Sequence, residues 1–532
     1  MVTDRISSNC KTCKAAIPVI SVFSKICRSL FTKGLPLLVF AISCPAIPGA
    51  ATFPELPAGV RPLSYEELQD ILPSLDTADF IEVMEEGRSV EGRTLYLVHL
   101  NRDPQPDDLR LFLLGQQHGD EHAGKDALIV LMKHIARTPE LLPTGIDLWI
   151  MPMVNPDGAA ENRRRNGNGA DLNRDHTLLA QPETQAVHRL SRRIGPHITI
   201  DCHEFGRDSQ SYREKGWLEW PLIMMDTANN PFLHPEIYRT GKWFCEQLTK
   251  PLNSRGINYT RYYVGNTPPG GELRYSTLEV DDARNGLAAY GGLGFIIESG
   301  VYYDREDPHA NLHKRVDAYL RIFQEVITNQ ELHHRARSAF ESSKSTRLPR
   351  WIPTNYFWGN HGPVMDTVLV TELPRETTEE IPTANFMHHR VVKKSVPIPL
   401  GYLIPKKYAG RFLPWLKRSV VPYRTLSGAM EFTVEPCRFE RLEEEWDPIY
   451  SRYDGRQVVT RKSQVEYNSS RGDLVIPVDE PGARRTILLL EPTMLYGLFQ
   501  FEEFRDMAVP GEELPVYRIT DSARNAEILH TR

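Results

Sequence analysis

Apolar runs of strand length alternate with helical patterns between about residues 93 and 329. The runs at 109–114 and 198–203 are short and end at polar residues, which is typical of buried strands, whereas Ala123 to Ile135 carries apolar residues at helical spacing. Similar patterns predict further strands at 94–100, 146–154 and 293–298, and further helices starting at Leu63-Ser-Tyr-Glu-Glu67 and covering 182–194, 233–254 and 307–329. This alternation predicts an α/β fold, a mostly parallel mixed sheet with helices on both faces.

The pattern changes after about residue 335. Prolines and short β-type runs dominate there, among them Val368–Thr371, Asp473–Val478 and Thr486–Leu490. We expect a second, β-rich domain over 336–532, joined through a polar linker at Ser338–Arg350. The sequence gives this C-terminal domain no assigned chemistry. It would follow an α/β domain that occupies 52–335.

The first 51 residues read as a targeting signal. Basic residues precede the apolar stretch 35–43, and the small residues 49–51 follow it, so a secretory signal cleaved after Ala50 or Ala51 is predicted. The protein is therefore expected to be exported, either periplasmic or secreted. A lipoprotein signal with a lipid anchor at Cys44 is the alternative. Cleavage would leave Cys202, Cys245 and Cys437, too few for a disulfide scaffold.

Charge and hydropathy exclude two classes of protein. The 532 residues carry 63 Lys and Arg against 69 Asp and Glu, a net charge of −6, so no basic field suggests nucleic-acid binding. No apolar run is long enough to predict a span of the mature chain across a bilayer. Nothing in the composition indicates an oligomeric state.

Polar residues gather where the predicted strands end. His118 and Glu121 follow one strand, and His203 and Glu298 end two others. Carboxyl ends of parallel strands meet at one edge of a sheet, so these side chains are expected to converge. Two imidazoles and one carboxylate are the ligand set of catalytic zinc. Taken singly, each residue also fits a structural role: a capped helix start, a hydrogen-bonded histidine, or a strand-end glutamate in a salt bridge.

Several motifs in order make the pattern specific. The His-x-x-Glu pair is followed by Asn155-Pro-Asp-Gly158, Gly169-Ala-Asp-Leu-Asn-Arg174, the distal His203 and finally Glu298. Over about residues 60–330 the sequence resembles the carboxypeptidase A-like zinc metallocarboxypeptidases. The Asp-Leu-Asn-Arg motif continues here as Asp-His176. This form of the motif and the C-terminal segment are similar to a bacterial branch of that family with a C-terminal extension. On this resemblance 52–335 would be a zinc peptidase domain.

The resemblance implies a zinc cofactor and a set of catalytic residues. His118, Glu121 and His203 are the implied zinc ligands, and Asp171 would hold His118 in the tautomer that binds metal. Glu298 would be the general base that deprotonates a zinc-activated water and then protonates the leaving amine. Its place at the end of an apolar strand should desolvate the carboxyl group and raise its pKa.

Substrate-binding residues are implied as well. Asn173 and Arg174 would clamp the free carboxylate of a peptide substrate, since a guanidinium pairs with a carboxylate bidentately. Arg164 matches the arginine that stabilises the oxyanion, although the run Arg163-Arg164-Arg165 leaves the register open by one residue.

Three positions depart from the family pattern or remain ambiguous. Tyr275 lies at about the distance before Glu298 expected for the family's substrate-capping tyrosine, but a packing role fits equally well. Arg284 suits either a substrate contact or pairing with neighbouring carboxylates. Glu204-Phe205 replaces the Ser-Tyr that often follows the distal histidine, which alters the adjacent subsite.

The resemblance implies a zinc-dependent metallocarboxypeptidase that hydrolyses the C-terminal peptide bond of peptides. A zinc-dependent N-acyl amino-acid amidohydrolase, similar to desuccinylases and aspartoacylases, is the first alternative, although such enzymes typically lack the full Asn-Pro-Asp-Gly segment. A non-catalytic cell-envelope binding protein is the second. The sequence does not reveal the peptide substrate or the preferred C-terminal residue.

Overall fold

A mixed β-sheet lies at the centre of the computed structural model, which describes residues 61–76, 78–302, 309, 311–344, 348–360, 365–447, 452–478 and 482–521. The predicted signal segment and Cys44 lie outside these residues. Up to residue 301 the strands are β1 (Ile81–Arg88), β2 (Thr94–Leu100), β3 (Leu109–Gly115), β4 (Ile146–Met151), β5 (Ile198–Gly206), β6 (Trp217–Glu219), β7 (Ile223–Thr227), β8 (Tyr259–Arg261), β9 (Tyr263–Gly265), β10 (Leu273–Tyr275) and β11 (Leu293–Val301).

Eight of these strands form the central sheet in the order β1-β2-β4-β3-β5-β11-β7-β8. Strands β4, β3, β5 and β11 run parallel to one another, and β7 runs parallel to β8. The pairs β1–β2, β2–β4 and β11–β7 are antiparallel. The predicted mixed sheet with a parallel centre is confirmed.

Helices cover both faces of this sheet. They are α1 (Tyr65–Leu75), α2 (Ala123–Arg137), α3 (Pro156–Ala160), α4 (Pro182–Ile194), α5 (Gln210–Arg213), α6 (Pro235–Gln247), α7 (Thr249–Asn253), α8 (Ala283–Ala288), α9 (Leu312–Thr328) and α10 (Gln330–Ser343). Alternate β3 residues face opposite helices: Leu111 and Leu113 pack in a core that includes α2 and α9, whereas Phe112 and Leu114 pack with α4 and α8. The helix predicted near residue 63 begins after Ser64, which forms a capping box with Glu67.

Residues 351–519 add thirteen strands and three helices among the described residues. The strands are β12 (Trp351–Gly359), β13 (Asp366–Glu372), β14 (Thr377–Thr383), β15 (Phe386–Met387), β16 (His389–Pro397), β17 (Gly401–Ile404), β18 (Arg424–Thr425), β19 (Glu431–Glu435), β20 (Cys437–Asp447), β21 (Arg452–Arg461), β22 (Val465–Asn468), β23 (Leu474–Pro477) and β24 (Tyr517–Ile519). The helices are α11 (Lys406–Arg418), α12 (Ala483–Leu490) and α13 (Glu502–Arg505). The β-rich character predicted for this region is confirmed.

Two local predictions in this part of the chain were wrong. The run Thr486–Leu490 lies in helix α12 rather than in a strand, because a short, fully buried apolar run carries no period that separates the two. The polar segment that begins at Ser338 was predicted to be a linker, but helix α10 continues through Ser343. This helix buries Ala339 and Phe340 despite its polar composition, which explains why it forms there.

The described residues, from 61 to 521, belong to one compact unit. Strand β13 pairs with β6, and β15 pairs with β10, so strands from beyond residue 335 complete sheets that begin before it. The indole Nε1 of Trp415 also donates a hydrogen bond to the carbonyl oxygen of Thr177, at 3.2 Å. A domain boundary at residue 335 stays a prediction. Within the described part of the chain, no helix is long and apolar enough to cross a membrane.

Candidate metal centre

Three potential metal ligands come together at the carboxyl edge of the parallel strands. His118 and Glu121 lie in the turn between β3 and α2, and His203 lies on the neighbouring strand β5. The carboxylate oxygens of Glu121 lie 2.7 Å from Nδ1 of His118 and 2.8 Å from Nδ1 of His203. The two Nδ1 atoms are 3.0 Å apart. All three side chains are buried, and their ligand atoms lie within 4.8 Å of one another.

Each imidazole has a carboxylate at its outer nitrogen. Asp171 Oδ1 lies 3.1 Å from Nε2 of His118, and Asp201 Oδ2 lies 2.6 Å from Nε2 of His203. A carboxylate at Nε2 holds the proton there and leaves Nδ1 free to bind a cation. The sequence prediction included Asp171 and missed Asp201. The signal for Asp201 was its position two residues before His203 on one strand, because residues at that spacing share a face.

The charges around the cluster suit a divalent cation. Burial raises the pKa of Glu121, but His118 and His203 outweigh it and hold the pKa below its usual range. Burial likewise works against charging His203, yet Asp201 and Glu121 raise its pKa well above the ordinary value. The cluster therefore retains positive charge between carboxylates. Two imidazole nitrogens with fixed tautomers and one carboxylate form a ligand set that fits zinc. A bound zinc ion would take the place of a proton in the cluster.

Arg164 is the member of the arginine run that touches the cluster. Its Nη2 lies 2.9 Å from Asp171 Oδ2, and its Nη1 lies 3.1 Å from Nδ1 of His118. Arg163 instead pairs with Glu161 at 2.6 Å, and Arg165 donates to the carbonyl oxygen of Gly169 at 3.0 Å. The three arginines among which the sequence left the choice open therefore lie in three different environments.

Glu298 pairs with His203 in the register of strands β11 and β5. Burial, with repulsion from Glu121, raises the pKa of Glu298 to about 8, against the opposing effects of His203, Arg164 and a hydrogen bond from Tyr262. A carboxyl group in such a site has a higher proton affinity than a solvated one.

The cluster opens into a cavity of about 820 Å³. Arg164, Asn173, Arg174 and Glu298 line it together with His118 and Glu121. The 3₁₀ turn Leu172–Arg174 brings Asn173 Nδ2 to 3.1 Å from Nε2 of His203, and the backbone N–H of Ala283 donates to Asn173 Oδ1 at 2.8 Å. The Arg174 guanidinium donates to the carbonyl oxygen of Asn173 at 2.6 Å. The guanidinium groups of Arg164 and Arg174 are thus among the cationic groups on the cavity wall.

The structure separates the two tyrosines near Glu298. Tyr262 lines the cavity and hydrogen-bonds to Glu298. The ring of Tyr275 packs outside it, 5.6 Å from Trp358 and 5.2 Å from Phe386 between ring centroids, with the guanidinium of Arg261 3.7 Å from its own centroid. Sequence reasoning missed Tyr262, and nothing in its spacing singled it out.

Arg284 is fully buried and paired. Its Nη2 lies 2.7 Å from Asp282 Oδ2 and donates to the carbonyl oxygen of Thr277 at 2.6 Å. A more distant oxygen of Asp226 lies 3.7 Å from Nη1. Pairing, one of its two predicted roles, is the contact observed. Arg284 also lines the cavity while it is paired.

Glu204, one of the departures from the family pattern, anchors a helix start. Its carboxylate accepts from the backbone N–H of Ala123 at 2.6 Å and from Arg315 Nη1 at 2.7 Å. Both members of the ion pair are almost completely buried. Glu204 thus ties helices α2 and α9 to the strand that carries His203. Phe205, which follows it, lines the cavity.

A buried chain of hydrogen bonds leads away from His203. Asp201 accepts from Gln117 Nε2 at 2.7 Å, and Gln117 Oε1 lies 3.0 Å from Nε2 of His176. Beyond it, Nδ1 of His176 lies 3.0 Å from Nε2 of His188, whose Nδ1 lies 2.9 Å from the hydroxyl of Tyr290. Burial lowers the pKa of His176 to about 3 and that of His188 well below its ordinary value, so both rings are neutral. Gln117 Oε1 can only accept a hydrogen bond. Each group in the chain therefore donates to the next one in the direction from Tyr290 to Asp201.

Comparison with known proteins agrees with this geometry. Residues 74–215 match the family model described as zinc carboxypeptidase. This part of the chain is similar to zinc carboxypeptidases. The matched segment contains His118, Glu121 and His203, and with this His–Glu–His group it supports the expected zinc cofactor.

Among curated carboxypeptidases, Carboxypeptidase 2 of Trichophyton rubrum is 28% identical over 185 residues, which cover 33% of this chain and 34% of the relative. Probable carboxypeptidase 2 of Trichophyton verrucosum is 33% identical over 185 residues, 33% of this chain and 36% of the relative. The chain thus spans about a third of the length of these curated relatives. A solved metallo-carboxypeptidase from Burkholderia cenocepacia is 19% identical, with a TM-score of 0.40, over 51% of this chain and 70% of that structure.

Proposed function

We propose that this chain is an exported zinc metallocarboxypeptidase that removes the C-terminal residue from peptides with a free C-terminal carboxylate. One observation carries the proposal: Glu298 stands opposite His203 in the strand register, beside the three-ligand cluster and in one cavity with Arg164 and Arg174. A metal cluster, a carboxyl group with raised proton affinity and cationic side chains are the parts that hydrolysis of a C-terminal peptide bond requires. The predicted secretory signal supports export.

His118, Glu121 and His203 would hold the zinc ion. When bound, zinc polarises the scissile carbonyl and lowers the pKa of water. The protein's part is to fix the ligands, and the carboxylates of Asp171 and Asp201 do so by holding the outer imidazole nitrogens.

Binding of the peptide would fall to Asn173 and Arg174. Arg174 supplies a guanidinium on the cavity wall that can pair with the terminal carboxylate of the substrate, and Asn173 beside it supplies an amide donor. Such pairing selects peptides with a free C-terminus. Arg164, which contacts His118 and Asp171, would stabilise the negative charge that develops on the carbonyl oxygen of the scissile bond.

Glu298 would move the protons. It accepts a proton from the attacking water and then donates it to the departing amine, so the carboxyl group returns to its ionised state. A buried carboxylate with a raised pKa accepts this proton more readily than a solvated one. The hydrogen bond from Tyr262 orients the carboxylate and opposes the rise in its pKa.

A substrate panel tests this function. The zinc-loaded full chain is offered a peptide with a free C-terminus, the same peptide with a C-terminal amide, and an N-acyl amino acid. We expect the free peptide to be cleaved about 10²-fold faster than the amide. The amide lacks the terminal carboxylate that pairs with a guanidinium on the cavity wall. Faster hydrolysis of the N-acyl amino acid would instead support an amidohydrolase. Stoichiometric zinc without hydrolysis of any substrate would support a binding protein.

A further inference from the structure

A second cavity is lined by Arg192 and Tyr290, which precede strands β5 and β11 in the chain. It has a volume of about 320 Å³ and shares no lining residue with the cavity at the cluster. Arg192, Tyr290, Ser419, Arg485 and Thr486 supply its polar groups. Among the described lining residues there is no carboxylate, so the cavity is cationic.

Arg485 is the buried cation of this cavity. Only 4% of this residue is exposed, and its guanidinium donates to the backbone carbonyl oxygens of Gly286 and His176 over 3.4 and 3.5 Å. The guanidinium also hydrogen-bonds to the side chain of Tyr290, whose ring centroid lies 4.9 Å away. Its Nε atom has no hydrogen-bond partner within the described residues, and no ion pair to a described carboxylate neutralises it. A buried charge without a counter-charge is unfavourable, so the site is poised to take up an anion.

Other groups around Arg485 suit an oxyanion. The hydroxyl of Ser419 is buried without a hydrogen-bond partner among the described residues, and it lines the same cavity. Helix α12 begins at Ala483, directly after Gly482 on the cavity wall, so the amino end of this helix is nearby. Arg192 is exposed at the rim. Val420, also on the wall, has a φ of 52°, an unfavourable value for a β-branched residue.

We propose that this cavity is a binding site for a small oxyanion of the phosphate class, held by Arg485 in the interior and Arg192 at the rim. The anion supplies the negative charge that Arg485 lacks. It also accepts hydrogen bonds from Arg485 Nε and from the Ser419 hydroxyl. The site is separate from the proposed peptide-binding residues and does not depend on peptidase activity. Tyr290 belongs both to its wall and to the hydrogen-bond chain that ends at His203.

Titration of inorganic phosphate into the zinc-loaded full chain tests the proposal. We expect one phosphate to bind per chain. Arg192→Met should weaken binding about tenfold, the usual scale of one lost charge-assisted hydrogen bond. The matched control is Arg193→Met, because Arg193 is also exposed but pairs with Glu86. Arg174→Met controls for phosphate at the metal cluster. Equal binding by the R192M and R193M variants, or loss of binding in R174M alone, would overturn the proposal.

Thermal unfolding provides a second readout. Phosphate should raise the melting temperature of the wild type but not that of Arg485→Met, since only the wild type retains the buried charge. If R485M does not fold, the R192M and R193M comparison still decides. Asp479 and Glu480 precede Gly482 in the sequence and lie outside the described residues. If phosphate binds only after their joint replacement by Asn and Gln, the chain supplies its own counter-charge and the proposal fails.

Discussion

Glu298 and His203 occupy paired positions on neighbouring parallel strands. The register of β11 and β5 therefore sets the Glu298 carboxyl group beside a potential metal ligand, without help from a flexible loop. Glu298 is not one of the three groups whose atoms converge on the cluster. Its proposed role as a base can thus be separated experimentally from metal binding.

Replacing Glu298 with Gln should abolish proton transfer and leave the metal in place. We expect kcat to fall by about 10²–10⁴-fold, the range for loss of a general base, while the zinc content stays at one per chain. Steady-state kinetics and metal analysis of the same preparation measure both. Glu272→Gln, at an exposed carboxylate that is absent from the cavity wall, is the control. Full activity of the E298Q variant would rule out the assigned role.

Tyr262 and Tyr275 should differ in their effect on the pH profile. The hydrogen bond from Tyr262 favours the ionised form of Glu298, so Tyr262→Phe should raise the pKa of Glu298. The base acts when ionised, and the rising limb of kcat/KM should therefore move to higher pH. Tyr275→Phe should leave that limb in place, because Tyr275 packs outside the cavity. A shift in Y275F and none in Y262F would reverse the assignment.

Asp201 should matter for metal affinity more than for folding. Asp201→Asn removes the acceptor at the outer nitrogen of His203, and loss of such a partner typically weakens metal binding about 10–100-fold. Competition with a zinc chelator measures this. Asp147→Asn is a matched control, since Asp147 lies 2.6 Å from Nε2 of His99 in a similar pair distant in the sheet from the cluster. Unchanged zinc affinity in D201N would contradict the role of Asp201.

The buried pair of Glu204 and Arg315 should stabilise the attachment of α2 and α9 to β5. Arg315→Met leaves the Glu204 carboxylate buried without its cation, and removal of one partner of a buried pair costs about 3–5 kcal/mol. Denaturant unfolding measures the loss. The double replacement with Glu204→Gln should recover part of it, because the stranded charge is gone. If the single and double variants are equally destabilised, lost packing explains the effect.

The sequence predicted the parallel centre of the sheet and the convergence of His118, Glu121 and His203. These predictions rest on local patterns: buried strands are marked by continuous apolar runs, and parallel strands end at one edge. Once β3 and β5 are neighbours, the polar residues that end them must meet. Asp201 could have been added from the same strand geometry.

Features that depend on distant packing were not predictable in this way. Which arginine of 163–165 reaches the cluster depends on loop turns that periodicity does not describe. Tyr262 and Tyr275 were indistinguishable until their surroundings were known, since Trp358 and Phe386 come from a later part of the chain. The hydrogen bond of Trp415 to Thr177 likewise joins residues with no local relationship.

Anomalous diffraction at the zinc absorption edge, from crystals of the zinc-loaded full chain, tests the central claim most directly. We expect one strong peak per chain, bounded by Nδ1 of His118, the Glu121 carboxylate and Nδ1 of His203. The peak should disappear from crystals of His203→Ala soaked in the same zinc solution. A peak at another site, or one that persists in the H203A variant, would contradict the proposed metal centre.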